Sequence, residues 1–321
     1  MVAIGNFDGV HRGHQAVIGE AVRRARAGRA PAQVLTFEPH PRRFFKPDTP
    51  PFQLTRLRTK ARVLAGLGVD DLFVLRFNQE MVEYSPEDFI DRFIVRDLQA
   101  CHVVIGYDFV FGKGRRGNPD LLRERLAANK IGITVMAPVT AAELATVDAD
   151  PEAAVISSTG VRDALRAGDP AAAARLLGRP FEIESRVQRG DARGRQIGFP
   201  TANLWLGDYL RPALGVYAVR VAIHDGPELY RGVANLGLRP TFGGLAEPRL
   251  EVHLFDFSGD IYGKRLRVEL VQFLRPERKF ADIAGLKEQI GHDAAAARTV
   301  LASAERRRGP KPLAESEGDA G

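Results

Sequence analysis

The sequence predicts an α/β protein in two domains: an amino-terminal doubly wound parallel sheet, then a small antiparallel β-barrel with a closing helix. Up to about residue 178, short continuous apolar runs alternate with helix-period segments, and from about residue 181 the apolar period becomes two. Length agrees, because 321 residues exceed what one core usually organises.

The first runs are Ala3-Ile4, Val34-Leu35-Thr36-Phe37, Leu72-Phe73-Val74-Leu75, Val103-Val104-Ile105 and Ile133-Thr134-Val135. Runs without alternation suit strands buried on both faces. The helical stretches between them, including Gly13 to Ala27, Leu54 to Leu67 and Pro86 to Leu98, supply the crossovers that parallel strands need. Helical Pro170 to Leu177 ends this half, which sets the boundary at Gly178 and gives domains of residues 1–178 and 179–306. In the second half, Tyr217, Val219, Val221 and Ile223 occupy every odd position of one strand. Leu250, Val252 and Leu254 share a face opposite Glu251 and His253, and Arg265, Arg267 and Glu269 alternate with Leu266, Val268 and Leu270. Several such strands joined by Gly-rich loops read as a barrel. Phe280 to Arg306 reads as the closing helix, and residues 307–321 as a disordered tail.

Composition bounds the function. An apolar fraction of 45% and a charged fraction of 27% are those of an ordinary globular protein. No apolar run approaches the ~20 residues that span a bilayer, and Gly5, Asn6 and Asp8 interrupt any signal-peptide pattern. The single Cys101 precludes an internal disulfide and points to a reducing, cytoplasmic setting; it reads as a core thiol just before a strand. The net charge of +6 raises the question of nucleic acid. Arg far outnumbers Lys throughout, as in GC-rich coding sequences, and no strand face interleaves aromatics with basic residues. No nucleic-acid partner and no membrane is therefore expected, whereas anionic phosphate ligands are.

Between the first strand and first helix stands Gly5-Asn6-Phe7-Asp8-Gly9-Val10-His11-Arg12-Gly13-His14. Small residues let a phosphate chain approach the backbone, and the helix N-terminus adds N–H donors and a positive dipole end. His11 and His14, three apart, can face one point from the first helical turn. Transfer of an adenylyl group needs such donors aimed at an α-phosphate rather than a covalent intermediate. Taken alone, the spacing also fits a turn with surface histidines. A second segment, Ser157-Ser158-Thr159 with Arg162 one turn on, offers hydroxyls and a guanidinium at another helix start, or an ordinary N-cap. Together the two segments resemble the H-x-G-H and S-S-T-x-x-R signatures of the nucleotidylyltransferase superfamily.

Two further loops follow strands: Thr36-Phe37-Glu38-Pro39-His40-Pro41 and Gly106-Tyr107-Asp108-Phe109-Val110-Phe111-Gly112. Phe37, Phe45, Phe109 and Phe111 can sandwich a planar ring and Asp108 can hydrogen-bond its edge, although strand-end aromatics are also common core residues. These loops are similar to those of the FMN adenylyltransferase module. That resemblance implies a flavin site lined by Phe37, Pro39, His40, Phe45, Asp108 and Phe111, and an ATP site on Gly5 to Gly9, His11, Gly13, His14, Ser157, Ser158, Thr159 and Arg162.

In the barrel half, Gly190-Asp191-Ala192-Arg193-Gly194-Arg195-Gln196-Ile197-Gly198-Phe199-Pro200-Thr201-Ala202-Asn203 leads into a strand. Thr201 and Asn203, two apart on an extended segment, can offer oxygens to one hard cation, and Mg²⁺ favours few protein oxygens plus phosphate and water. Glu251 alternates away from its strand's apolar face, where a carboxylate could take a proton from a primary hydroxyl; alone it would be a solvent-facing Glu. The run resembles the riboflavin kinase signature, and Gly215-Val216-Tyr217, Gly232 to Gly237, Arg239-Pro240-Thr241-Phe242, Glu251 to Leu254 and Tyr262-Gly263-Lys264 continue that family's pattern in order. The resemblance implies Glu251 as the base, Mg²⁺ on Thr201 and Asn203, and ATP against Gly190, Gly194, Arg195, Gly198, Phe199, Thr201 and Asn203. Arg275 and Arg278 fit either closure over the ligands or a solvated helix start.

Over nearly its whole length the chain thus resembles the bacterial bifunctional riboflavin kinase/FMN adenylyltransferase family. The expectation is a transferase with riboflavin, FMN, FAD and ATP as ligands, adenylyltransferase in residues 1–178 and kinase in residues 179–306. Three departures stand out. The family carries a segment ahead of its first strand, so either the start lies upstream or the first sheet edge is less protected here. Val155 replaces a basic residue, and Asp108 an Asn found in some members, which reverses its donor capacity.

Overall fold

The computed structural model describes residues 1–140, 155–189, 198–224, 226, 228–240 and 246–308. Contacts divide the chain into two compact units: Met1–Arg166, Ala172–Arg179 and Gly207–Arg211 form the first, and Ala167–Ala171, Pro180–Leu206 and Pro212–Gly321 the second.

In the first unit, β1 (Val2–Ile4), α1 (Arg12–Ala27), β2 (Gln33–Glu38), α2 (Pro41–Phe45), α3 (Leu57–Gly66), β3 (Asp71–Arg76), α4 (Gln79–Glu83) and α5 (Pro86–Phe89) come first. They are followed by β4 (His102–Gly106), α6 (Pro119–Ala128), β5 (Gly132–Met136), α7 (Ser158–Arg166) and α8 (Pro170–Leu177). All five expected strands form one parallel sheet in the order β3-β2-β1-β4-β5. The pleat explains the unbroken apolar runs of the inner strands β1, β2 and β4; edge strand β3 instead leaves Phe73 and Val74 exposed. Ala3, Val34 and Val104 pack with Val17, Ile18, Ala21 and Leu64 from α1 and α3 on one face. Val2, Ile4, Leu35, Val103 and Ile105 pack with Phe89, Ile90, Phe93, Ile94, Leu122 and Leu126 on the other. Strands covered on both sides need no polar face.

Three local expectations are corrected. Pro86 to Leu98 is not one α-helix: after α5, Ile90–Asp97 winds as a π-helix, with the Leu98 N–H donating to the Phe93 carbonyl at 3.0 Å. The first strand is not a sheet edge, because β2 and β4 flank it and the edges are β3 and β5. Cys101 is exposed rather than a core thiol, since it precedes β4 where the chain has not yet entered the sheet.

The second unit is a closed barrel of β6 (Phe181–Gln188), β7 (Ala202–Trp205), β8 (Gly215–Ile223), β9 (Tyr230–Pro240), β10 (Ala246–Leu254) and β11 (Arg265–Pro276), in the order β10-β7-β6-β11-β8-β9. Ile183, Val221 and Val268 fill its interior with no exposure. On the opposite face of the same strands, Arg265 lies 3.4 Å from Glu184, Arg267 lies 3.8 Å from Glu182 and Arg220 lies 3.9 Å from Glu269. Glu182, Glu184, Arg220 and Glu269 are nonetheless buried, so this polar face of the ladder is covered and each charge there faces an opposite one on a neighbouring strand. The helix α9 (Ile283–Arg308) extends two residues into the stretch expected to be tail. It covers Val216, Ala218, Val233 and Phe255 with Ala297 and Leu301, which is why β8 is buried on both faces despite its alternation. Arg298 fastens it, lying 4.2 Å over the Phe255 ring and pairing with Asp256 at 2.8 Å.

Candidate functional site

In a sheet of this order, ligands bind beyond the carboxyl ends of the strands where the order reverses, between β1 and β4. A cavity of about 970 Å³ opens there, lined by Ile4 to Asp8 after β1 and by Gly106, Asp108 and Phe109 to Gly112 after β4.

The loop after β1 holds a costly backbone. Phe7 and Val10 have φ of 48° and 44°, a left-handed conformation that a β-branched residue such as Val10 strongly disfavours. Gly9, at φ 87°, has no room for a side chain, because a Cβ would come 2.9 Å from Leu54 Cδ1. Buried partners impose this shape. The Asp8 carboxylate accepts from the backbone N–H groups of Leu54 and Thr55 at 2.9 and 3.1 Å. The Gly9 N–H donates to Thr55 Oγ1 at 3.0 Å, and Arg179 Nη2 donates to the Gly9 carbonyl at 2.8 Å. Asp8 also pairs with Arg162 at 2.6 Å, both being buried, and Ser158 Oγ donates to the Asp8 carbonyl at 2.9 Å. The two signatures, some 150 residues apart, therefore meet through a buried ion pair. Within the second signature Ser157 caps α7, accepting from the Gly160 N–H, and Thr159 is exposed.

His11 is the N-cap of α1: its Nδ1 accepts from the His14 N–H at 3.4 Å, which leaves the proton of the neutral ring on Nε2. The His11 and His14 rings stack with centroids 3.6 Å apart. Gly13 permits this, since a Cβ there would lie 3.2 Å from the His11 ring. Burial holds both rings neutral, with the His11 pKa lowered to about 4 and that of His14 well below its ordinary value, further lowered by His11, Lys60 and Arg162. His14 lines the cavity, edge-on to Phe7. Its Nδ1 is sealed from solvent with no hydrogen-bond partner among the described residues.

Of the expected flavin residues, Phe37, His40, Phe45, Asp108 and Phe111 line this cavity; Pro39, beside His40, is exposed. Phe37 and Phe111 belong equally to the core beneath, and Phe45 is 60% exposed. His40 caps α2 through Nδ1, and burial lowers its pKa to about 4. Sequence reasoning passed over Phe77, Phe89 and the exposed cations Arg42, Lys46 and Arg115 that also line the cavity. Arg42 and Lys46 stand in Pro41-Arg42-Arg43-Phe44-Phe45-Lys46, a basic and aromatic cluster that was a usable signal. It also missed Lys60, a buried lysine on α3 that nothing in the local sequence distinguishes.

In the barrel unit, strand register assembles a polar row. Asn203 of β7 stands directly opposite Glu251 of β10, and Glu251 opposite Asn235 of β9. Ala202, Leu204, Leu250, Val252, Ala234 and Leu236 alternate with them into the core, while the three polar residues are half-buried. Asn235 Nδ2 donates to Glu277 Oε1 at 3.2 Å. A Cβ at Gly237 would come 2.1 Å from that same oxygen, so a side chain there would push the exposed Glu277 carboxylate away from Asn235. His253 Nδ1 lies 2.8 Å from the Pro200 carbonyl and its ring meets Phe199, which sets Phe199 and Thr201 beside β10. Gly198 has φ of 88°, and among the described residues nothing lies within 4 Å of where its Cβ would stand. Gly190, Gly194 and Arg195 lie outside the described residues. Arg275 forms a two-bonded pair with Asp293 of α9 at 2.9 and 2.7 Å, and Arg278 bonds Gln289, so both arginines are tied to that helix.

Comparison with known proteins agrees with this division. Residues 1–148 match the family model of FAD synthetase, and residues 177–301 match that of riboflavin kinase. The chain is 45% identical over 302 residues to a bifunctional riboflavin kinase/FMN adenylyltransferase from Pseudomonas fluorescens, covering 94% of this chain and 93% of the relative. It is 41% identical over 298 residues to the protein of that name from Escherichia coli K12, with 93% and 91% covered. It is 40% identical over 297 residues to the one from Bacillus subtilis, with 91% and 90% covered. A solved structure described as a macrolide-efflux protein from Streptococcus pneumoniae superposes with a TM-score of 0.79 at 32% identity, covering 92% of this chain and 93% of that one. Among the described residues, no helix is long and apolar enough to cross a membrane.

Proposed function

The chain belongs to the bifunctional riboflavin kinase/FMN adenylyltransferase family, and on that premise we propose which of its residues carry each reaction. It phosphorylates riboflavin to FMN and adenylylates FMN to FAD, using ATP in both. FMN binds in the cavity of the first unit, its ring among Phe37, Phe45, Phe109 and Phe111 with Asp108 and His40 at its edge. The ATP phosphates lie along Gly5 to Gly9 and the N-terminus of α1, with Ser157, Ser158 and Thr159 at the second helix start. An oxygen of the FMN phosphate attacks the α-phosphorus and pyrophosphate leaves. A neutral His14 donates a hydrogen bond to the phosphoryl oxygens as their charge rearranges. His11 holds it by stacking and capping. Arg162, engaged by Asp8, fixes the loop and adds positive potential.

The kinase reaction belongs to the row Asn203–Glu251. Glu251 takes the proton of the riboflavin primary hydroxyl as its oxygen attacks the γ-phosphorus of ATP, and ADP leaves. Thr201 and Asn203 offer neutral oxygens two residues apart, a donor set that fits Mg²⁺. Bound there, the ion would offset charge on the ATP phosphates. ATP also meets Gly190, Gly194, Arg195, Gly198 and Phe199. We assign the enzyme to the cytoplasm, on its single cysteine.

The observation that carries most of this reading is the 2.6 Å Asp8–Arg162 pair, which brings both phosphate-binding signatures to the edge of an aromatic cavity at the sheet's switch point. Incubation with riboflavin, ATP and Mg²⁺, followed by chromatography, should show FMN and then FAD. Omission of Mg²⁺ with chelator present should stop FMN formation; FMN made at the full rate without it would remove the ion from the kinase reading.

A further inference from the structure

Lys60 is only 2% exposed, yet it carries a charge into the core beside the sheet. Its Nζ donates to the Asn6 carbonyl at 2.9 Å, to Thr36 Oγ1 at 3.3 Å and to Glu38 Oε1 at 3.3 Å. Thr36 Oγ1 in turn donates to the same Asn6 carbonyl at 3.2 Å. An ammonium has three protons, and these three acceptors match them. Lys60 therefore has none to offer a ligand, and it lies behind the residues that line the cavity.

The acceptors belong to two elements: Asn6 to the loop after β1, and Thr36 and Glu38 to the end of β2 before the next loop. Asn6 sits in the strained turn between Gly5 and Gly9, the wall proposed for ATP, and Glu38 ends β2 just before His40, Pro41 and Arg42, which line the cavity on the side proposed for flavin. A buried lysine costs far more than a methionine of similar length unless its bonds do something an apolar side chain cannot. Here the ammonium joins the turn to the end of β2 through one atom, next to Phe7, whose φ of 48° is left-handed.

We infer that Lys60 is a positioning residue for adenylyl transfer: its ammonium fixes the spacing between the nucleotide loop and the end of β2 from which the flavin loop leaves, and so the alignment of the FMN phosphate with the α-phosphorus of ATP. This rests on the site reading above. Alignment errors act on turnover rather than on ground-state binding, and a misplacement near 1 Å can cost about 10²-fold.

The test uses the full chain and steady-state FAD formation from FMN and ATP, with riboflavin phosphorylation measured on the same preparation. Lys60→Met should lower kcat for FAD formation about 10- to 100-fold. The KM values for FMN and ATP should stay within about threefold and FMN formation should be unchanged. Lys60→Arg keeps the charge and should recover much of the lost kcat. Two results overturn the inference: a Met variant with kcat within about twofold of the parent, or an Arg variant that folds and is no better than Met. If the Met variant does not fold, Glu38→Gln weakens one of the three bonds without emptying the core; it should lower kcat a few-fold at constant KM, and an unchanged kcat counts against the inference. His14→Ala in the same assay separates the two levels. A crippled His14→Ala beside a normal Lys60→Met sinks only the role of Lys60, whereas a normal His14→Ala sinks the site reading beneath it.

Discussion

The two catalytic regions are built by different means. In the parallel-sheet unit, the groups assigned to adenylyl transfer cluster around a loop past a strand end, with residues at φ 48° and 44°, and at two helix starts; side chains of Asp8, Lys60, Arg162 and the half-buried Arg179 hold that loop in place. In the barrel unit, Asn203, Glu251 and Asn235 lie within strands, and ordinary register sets them side by side. A ladder positions side chains at no cost in backbone strain, whereas a loop has to be clamped. The first site is therefore exposed to substitutions that never touch substrate, and the second chiefly to those at the row itself.

Four measurements would sharpen or break this contrast. The largest effect is expected at Glu251. Glu251→Ala should lower FMN formation by about 10²-fold or more, the usual cost of a positioned base. FAD formation from supplied FMN should persist, and the thermal transition should barely move because the residue is half-buried on a strand that keeps its ladder. Near-normal kinase activity would strike Glu251 from the mechanism.

Asp8→Ala should act in the opposite way, through the fold. It leaves the Arg162 charge buried without its carboxylate and two backbone N–H groups without an acceptor, at a cost of about 3–5 kcal/mol to the first unit. Urea unfolding followed separately by FAD-forming and FMN-forming activity should show the first lost well before the second. Coincident loss would mean that the units do not unfold independently.

His14→Ala should reduce FAD formation by about 10²–10³-fold with little change in the apparent affinity for FMN, the mark of a donor used in the transition state. Riboflavin phosphorylation on the same sample serves as the folding control. A fall of less than about twofold would make these histidines decoration of a turn.

The smallest effect is that of pH. The pKa of His11 is near 4 in the folded chain against an ordinary 6.5, so above about pH 6.5 the ring is neutral in both states and adds no pH dependence. Between 6.5 and 4 the unfolded chain binds a proton that the folded ring refuses, so stability falls as pH drops and levels off below about 4. The full loss is on the order of 3 kcal/mol. Protonation would also place a hydrogen on the Nδ1 that caps α1. His11→Asn, which retains a good N-cap, should flatten this slope in unfolding curves taken from pH 7.5 to 4.5; an unaltered slope would assign the acid sensitivity elsewhere.

Much of the fold was legible because burial writes itself into period. Five unbroken runs became five parallel strands, and the alternation of Arg265 to Leu270 became a barrel strand with its valine and leucines inside. What was hidden depended on neighbours distant in sequence. Cys101 stands beside an apolar strand and is exposed all the same, because position at the sheet's end decides its burial. Val216 and Ala218 of β8 are covered by a helix more than sixty residues away in sequence. At the site, His11 and Arg162 were visible as types of residue, yet not their division of labour: one ring caps a helix for the other, and the guanidinium is held by Asp8. Lys60 gave no signal, since a lysine in a helix is read as solvated until its three acceptors are seen.

The short segment Gly207–Arg211 belongs to the first unit although it is encoded between two strands of the barrel. There the Gln53 N–H donates to the Asp208 carbonyl at 3.1 Å, the Leu210 N–H donates to the Gln53 carbonyl at 2.8 Å, and the fully buried Tyr209 sets its hydroxyl 3.2 Å from Thr59. During synthesis from the N-terminus, the parallel sheet can assemble once β5 has emerged, but its packing is incomplete until a further seventy or so residues follow. The nascent first unit waits, with the site for Tyr209 unfilled, until β6 and β7 of its neighbour have been made. The order of translation thus ties completion of the FAD-forming half to production of the FMN-forming half, and a ribosome that stalls between them leaves a sheet without its last wedge.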